Sequence, residues 1–124
     1  LTGNDEAVKY SGSQFANTPY EDDGCLRIIS KKKLREFWKE HPDARKPLQD
    51  WYDITEEATW RNFADVRNTF RHADSYCDCV IFDIKGNNYR LIAIVLYQAQ
   101  RVYVRHVMTH KEYDKGAWKD DCSC

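Results

Sequence analysis

A chain of 124 residues that is 42% apolar and 31% charged, with a formal net charge of −1, has the composition of one compact globular domain. That composition excludes a collagen, a coiled coil or a wholly disordered chain. No apolar run approaches the ~20 residues of a membrane-spanning helix, and no basic and apolar leader opens the chain, so the expectation is a cytoplasmic protein without a membrane segment.

Charge is unevenly spread. Residues 1–24 hold five acids and one lysine, whereas residues 25–118 hold 17 bases and 13 acids. The first 24 residues are rich in Gly, Ser, Asn, Thr and Asp and show no helical or strand period. They read as a flexible acidic extension. Starting with Leu rather than Met, this segment has the character of a boundary, a processed end or a fused leader. The expected organisation is therefore an extension over 1–24, a folded domain over 25–118 and a short tail over 119–124.

Leu26 to Ile29 forms a short apolar strand, and Ser30 stands where it can cap a helix with Leu34, Phe37, Trp38 and His41 at three-to-four spacing. His41-Pro42 ends that helix, because a residue before proline is pushed out of the α region. Asp43 is placed to cap a second helix with Ala44, Leu48, Trp51, Tyr52 and Thr55 on one face. Pro47 is tolerable only near its start. A third helix, capped by Asn62 or a neighbour, carries Phe63, Val66, Arg67 and Phe70.

Beyond His72 the period becomes two. Three runs follow, Cys77 to Ile84, Tyr89 to Tyr97 and Val102 to Thr109, separated by 85–88 and 98–101. Connections this short make hairpins, so the three strands form an antiparallel meander. Helices followed by a sheet give an α+β class, with an N-terminal strand and two to three helices packed on the sheet.

Hairpin register places Arg90 opposite Met108 or Thr109 and brings His110 to the same end, with Lys85, Asn87 and Asn88. Arg105 lies deeper on the same strand. His110, Tyr113 and Asp114 have the spacing of one helical face. A guanidinium, an imidazole, a phenol and an ammonium form a kit for cleaving RNA without a metal: the 2′-hydroxyl is the nucleophile, and the protein aligns the phosphate, offsets its charge and moves protons. Plain alternatives stand beside each residue. His110 can be a surface or capping histidine, Arg90 can pair with Asp83 or Asp114, and Tyr113 can be edge packing. Lys31, Lys32 and Lys33 decorate the first helix, or with Arg27 and Arg35 form a basic stripe along a phosphate backbone. His41 reads as core or a helix end, His72 as loop, and His106 as a packed strand residue.

Cys25, Cys77, Cys79, Cys122 and Cys124 are odd in number, with four of them in tight C-x-C pairs. That is a poor disulfide framework, so reduced thiols are expected, with a thiolate zinc site as the weaker reading.

The segments Arg27-Ile28-Ile29-Ser30-Lys31-Lys32-Lys33-Leu34-Arg35-Glu36-Phe37-Trp38, Gly86-Asn87-Asn88-Tyr89-Arg90-Leu91-Ile92-Ala93 and Thr109-His110-Lys111-Glu112-Tyr113-Asp114-Lys115 together resemble the HigB family of bacterial toxins. His41-Pro42-Asp43-Ala44, Leu48, Trp51-Tyr52, Trp60 and Asn62-Phe63-Ala64-Asp65 also fit, so the likeness spans residues 26–118. It implies a RelE-like fold and an mRNA interferase acting on the translating ribosome. It also implies cleavage through a 2′,3′-cyclic phosphate with no metal or cofactor, and a HigA-like helix-turn-helix antitoxin that alone touches DNA. By position, it implies Arg90 as phosphate stabiliser, His110 as proton donor or acceptor, and Tyr113 and Lys115 in support, with Asn87 and Lys32 as further candidates; together with the basic residues Lys31, Lys33 and Arg105 read above, Lys32 and Asn87 make up the expected RNA contacts. Two other functions fit the same residues. One is a non-catalytic module gripping RNA or a partner helix through Trp38, Trp51 and Trp60. The other is a degenerate toxin silenced by residues 1–24.

Overall fold

The structure, a computed structural model, describes residues 26–124; the acidic extension of 1–24 lies outside the described residues. Strand β1 (Arg27–Ile29) leads into helix α1 (Lys31–Glu40), with Ser30 extended at the N-cap position but making no side-chain cap bond. His41 ends α1, as Pro42 requires. A 3-10 turn over Pro42–Ala44 then feeds α2 (Arg45–Glu57), so Pro47 sits in the first turn, where its missing N–H costs nothing. Asp43 does not cap α2. Its carboxylate turns across the molecule to accept from Lys85 and Tyr89.

Helix α3 (Phe63–Thr69) is capped as expected by Asn62, whose side chain accepts from Asp65 N at 3.0 Å. The sheet follows with β2 (Asp74–Tyr76), β3 (Cys79–Ile84), β4 (Tyr89–Leu96) and β5 (Arg101–Thr109). Its spatial order is β1-β5-β4-β3-β2, antiparallel except for β1, which runs parallel to β5. The meander therefore has four strands rather than three, and β1 extends it to five. Arg90 pairs with Met108, one of the two expected partners.

Alternation along the strands sends side chains to two faces. Val80, Phe82, Leu91, Ala93, Val102 and Val104 face the helices and bury Leu34, Leu48, Trp51, Trp60 and Val66. Phe82 is enclosed by aromatic rings, with Trp51 edge-on at 5.3 Å, Trp60 stacked at 6.0 Å and Phe70 edge-on at 5.2 Å. Because Trp51 and Trp60 are core residues at 2% and 1% exposure, neither can grip a partner without unfolding the domain; of the three tryptophans of that binding mode, Trp38 alone is partly exposed.

The second face carries Cys79, Ile81 and Ile92 under Trp118. Helix α4 (His110–Lys115) and a 3-10 helix over Ala117–Asp121 cross it and cover this face. Among the described residues no helix is long and apolar enough to cross a membrane.

Candidate active site

The site is organised by the β3–β4 turn. Lys85 and Gly86 both take positive φ, 55° and 65°, within the four-residue connection 85–88. The Asn88 N–H donates to Lys85 O across the turn at 3.2 Å. This geometry presents the carbonyl of Asn87 to two side chains. Arg90 donates from Nη1 to Asn87 O at 2.7 Å, and His110 Nδ1 lies 3.2 Å from the same oxygen. The His110 backbone N–H donates to Asn88 O at 3.0 Å, fixing the start of α4 against the turn.

Arg90 is oriented on three sides. Its Nε lies 3.2 Å from Asp83 Oδ1 on the neighbouring strand, where register sets the two residues opposite each other. Its guanidinium carbon stands 4.8 Å over the Tyr113 ring. With its side chain 11% exposed, it is a sheltered cation with an edge at the surface, a setting in which a phosphate would feel its charge strongly. Burial is the largest influence on the Tyr113 phenol and pushes its pKa up; the Arg90 charge pulls the other way. Tyr113 is therefore a neutral hydrogen-bond donor at physiological pH.

Helix α4 carries both His110 and Tyr113. Thr109 and Glu112 close a reciprocal capping box at its start, and Gly116, at φ 79°, ends it in the left-handed conformation. His110 Nε2 lies 3.1 Å from Asp114 one turn on, so each nitrogen of the ring faces an acceptor. Of the two carboxylates weighed as partners of Arg90, Asp83 takes that place and Asp114 pairs with His110 instead.

The other expected residues are dispersed. Lys115 ends α4 and lines a separate cleft with His106, Trp118 and Asp121. Arg105 is the extra residue at a bulge, since the pairing passes from Ile92–His106 to Ala93–Val104. It lines a groove with Lys33, Phe37 and His41 on the α1 side. The three lysines of α1 diverge, as successive helical positions must: Lys31 lies 4.8 Å over the Tyr52 ring, Lys32 pairs with Glu36 at 3.9 Å, and Lys33 faces the Arg105 groove. They form no single stripe. His41 stacks on Phe37 at 4.4 Å, His72 is exposed, and His106 pairs with Asp121.

The cysteine expectation is overturned. Cys77 is bridged to Cys124 and Cys79 to Cys122. Cys77 stands in the β2–β3 turn, at φ 54°, and Cys79 opens β3, so the two thiols lie together at one end of that hairpin, where the tail returns to meet them. The four sulfurs are thereby engaged with each other, and the zinc reading has no free ligand set there.

Known proteins share the sequence that builds this arrangement. The profile described as HigB_toxin, RelE-like toxic component of a toxin-antitoxin system, matches residues 44–116. The mRNA interferase HigB of Escherichia coli O6:H1 is 29% identical over 93 residues, covering 73% of this chain and 90% of that protein. The mRNA interferase toxin HigB of Escherichia coli K12 and the mRNA interferase HigB of Shigella flexneri are each 28% identical over 92 residues, covering 72% of this chain and 88% of theirs.

Proposed function

Because the chain belongs to the HigB family, the RelE-like toxic components of toxin–antitoxin systems, we propose that it is an mRNA interferase whose cutting site is the junction of Arg90, His110 and Tyr113. An antitoxin partner follows from the family; that it is a HigA-like helix-turn-helix protein, and that the message is cut on the translating ribosome, are parts of the proposal. The observation that carries it is the meeting of Arg90 and His110 on one carbonyl, Asn87 O.

In this reading the 2′-hydroxyl of the message attacks the adjacent phosphorus and the 5′-oxygen leaves, giving a 2′,3′-cyclic phosphate. Arg90 offsets charge on the non-bridging oxygens, where a donor already held in place acts without reorganising. His110, with its side chain 47% exposed, reaches solvent and substrate and moves a proton at the attacking or leaving oxygen. Tyr113 supports Arg90 from below and offers a phenolic proton. Asn87 and Lys111 line the open side of the turn beside His110, where a phosphate backbone can approach. Lys115, Arg105 and the α1 lysines, which stand away from that junction, serve as outlying RNA contacts.

A formal charge of +4 over residues 25–118, from 17 bases and 13 acids, is small for tight capture of naked RNA, in which each phosphate contact adds a salt-dependent term. A ribosome that already holds the message removes that need. The test is induction of the chain and of Arg90→Ala and His110→Ala at matched expression, with primer extension on a translated message. Growth arrest with discrete new 3′ ends, lost in both variants, is expected. Unchanged toxicity in both refutes the site, and protection without cuts favours a binder.

A further inference from the structure

The C-terminal residues run antiparallel beside the start of β3. Asp78 N donates to Ser123 O at 3.1 Å, Ser123 N donates to Asp78 Oδ1 at 2.7 Å, and the bridges Cys77–Cys124 and Cys79–Cys122 flank these bonds. What they fasten is Trp118, 4% exposed and packed with Cys79, Ile81 and Ile92. The Cys122 sulfur lies 3.7 Å from Trp118 O. Trp118 in turn holds Tyr113: the rings stack at 5.1 Å and 8°, and the indole N–H donates to Tyr113 O at 3.0 Å. Tyr113 is the ring beneath the Arg90 guanidinium. A line of direct contacts therefore joins the bridges to the proposed cutting site.

The line matters because α4 has six residues, far below the ~12–15 at which a helix persists by itself. Its capping box fixes the His110 end, while Trp118 closes the other. The tail leaves the site open: Arg90 and His110 meet at the β3–β4 turn, whereas Trp118 packs over Cys79 and Ile92, so the tail acts as a support and not as a lid.

We propose that Trp118 is a positioning residue for the cutting site, held in place by the paired cysteines, so that opening the bridges with a dithiol loosens Tyr113 and Arg90 and slows turnover. This rests on the reading of Arg90, His110 and Tyr113 as the site. In the chemical step, a thiolate of the dithiol attacks one sulfur of a bridge, breaking the S–S bond and forming a mixed disulfide. The second thiol of the dithiol then displaces the other cysteine. Each bridge takes up two electrons and two protons to become two thiols, and each dithiol molecule becomes its own cyclic disulfide. The helix-facing core, built around Phe82, Leu91 and Trp60, lies on the other face of the sheet from the bridges, so the reduced chain stays folded while Trp118 and the site it supports loosen.

The test uses the full chain with its bridges intact by mass, on message-programmed ribosomes in thiol-free buffer. The cutting rate at saturation and the half-saturating concentration are measured before and after dithiothreitol. They are also measured for Trp118→Ala, Trp118→Phe and the variant with Cys77, Cys79, Cys122 and Cys124 all changed to Ser. The Arg90 Nε–H resonance, displaced by the Tyr113 ring, is followed in parallel. Reduction, the four-serine change and Trp118→Ala should each slow cutting by about 10- to 100-fold, the scale of a small misplacement, with half-saturation unchanged. Each should also shift the Arg90 resonance. Trp118→Phe should retain most of the rate, and the four-serine variant should ignore dithiothreitol. A rate and a resonance that both stay put on reduction overturn the proposal. Should the unmodified chain cut nothing, the proposed function fails separately; the resonance then decides alone whether the bridges position Arg90.

Discussion

Arg90 and His110, twenty positions apart in the chain, share one hydrogen-bond acceptor: the carbonyl oxygen of Asn87, 2.7 Å from Arg90 Nη1 and 3.2 Å from His110 Nδ1. A hairpin turn thus sets the spacing between a fixed cation and a group that can carry a proton. The arginine contributes geometry as well as charge, since Asp83 and Asn87 hold two different nitrogens of its planar fork. Arg90→Lys keeps the charge and loses that orientation. Its cutting rate should fall toward that of Arg90→Ala, about 10²-fold or more below the parent by analogy with loss of a preorganised donor. Rates at saturating toxin on programmed ribosomes check this; a fully active Arg90→Lys would show that charge alone suffices.

His110 is separable from Arg90 by substitution with glutamine, which keeps a hydrogen-bonding side chain but cannot shuttle a proton. His110→Gln should slow cutting by about 10²- to 10⁴-fold, the range for a positioned acid or base. The thermal midpoint should remain close to that of the parent because the side chain is half exposed. Loss of activity accompanied by an equal loss of stability would instead mark His110 as a structural cap.

The nearness of these two residues was legible because the strands are joined by short connections, which leave few registers, and Arg90–Met108 is one of the two foreseen. The Asn62 cap and the α1 stop at His41-Pro42 are local chemistry and were legible for that reason. What escaped was tertiary. Strand β2, Asp74–Tyr76, is wholly exposed at the sheet edge and so carries no apolar alternation. Trp118 stands alone in a charged stretch, and its burial depends on a sheet face built from Cys79, Ile81 and Ile92. Arg105 lies on β5 as read, but the bulge that makes it the extra residue between Val104 and His106 has no signal in the simple count along the strand. Asp43 has the spacing of a cap, yet it is drawn away by Lys85 and Tyr89.

Thr109 links stability to the site, because its hydroxyl oxygen accepts from Glu112 N at the start of the helix that bears His110 and Tyr113. Thr109→Ala should cost about 0.5–2 kcal/mol, and Thr109→Ser should restore most of it. Denaturant midpoints for the three proteins decide the matter, and equal midpoints would remove the cap from the account of α4.

The helix-facing core predicts a larger effect at Phe82, 1% exposed and touched by Trp51, Trp60 and Phe70. Phe82→Ala should destabilise by about 3–5 kcal/mol, the loss of transfer energy plus an incompletely collapsed cavity. Phe82→Leu should cost clearly less. Urea unfolding at constant slope provides the measurement, and a change below about 1 kcal/mol for alanine would mean the ring cluster relaxes into the space.

Asp43 supplies a pH signature for the turn that holds the site. Hydrogen bonds from Lys85, first, and Tyr89 lower its pKa below the ordinary 3.8. A carboxyl more acidic in the folded than in the unfolded chain adds stability that is present above the unfolded value and is lost as pH falls through the folded one. The same bond to Asp43 is the largest influence raising the Tyr89 pKa above 10.0. That contribution is present below the unfolded phenol value and is lost as pH rises through the folded one. The difference in thermal midpoint between the parent and Asp43→Asn should therefore form a plateau between these limits, narrowing in acid below about 3.8 and in alkali above about 10. Since Lys85 and Tyr89 bracket the turn whose Asn87 carbonyl receives Arg90 and His110, Asp43→Asn should also broaden the amide resonances of 85–88. A midpoint difference that does not vary with pH would show that the Asp43 contacts do not tie this turn down in solution.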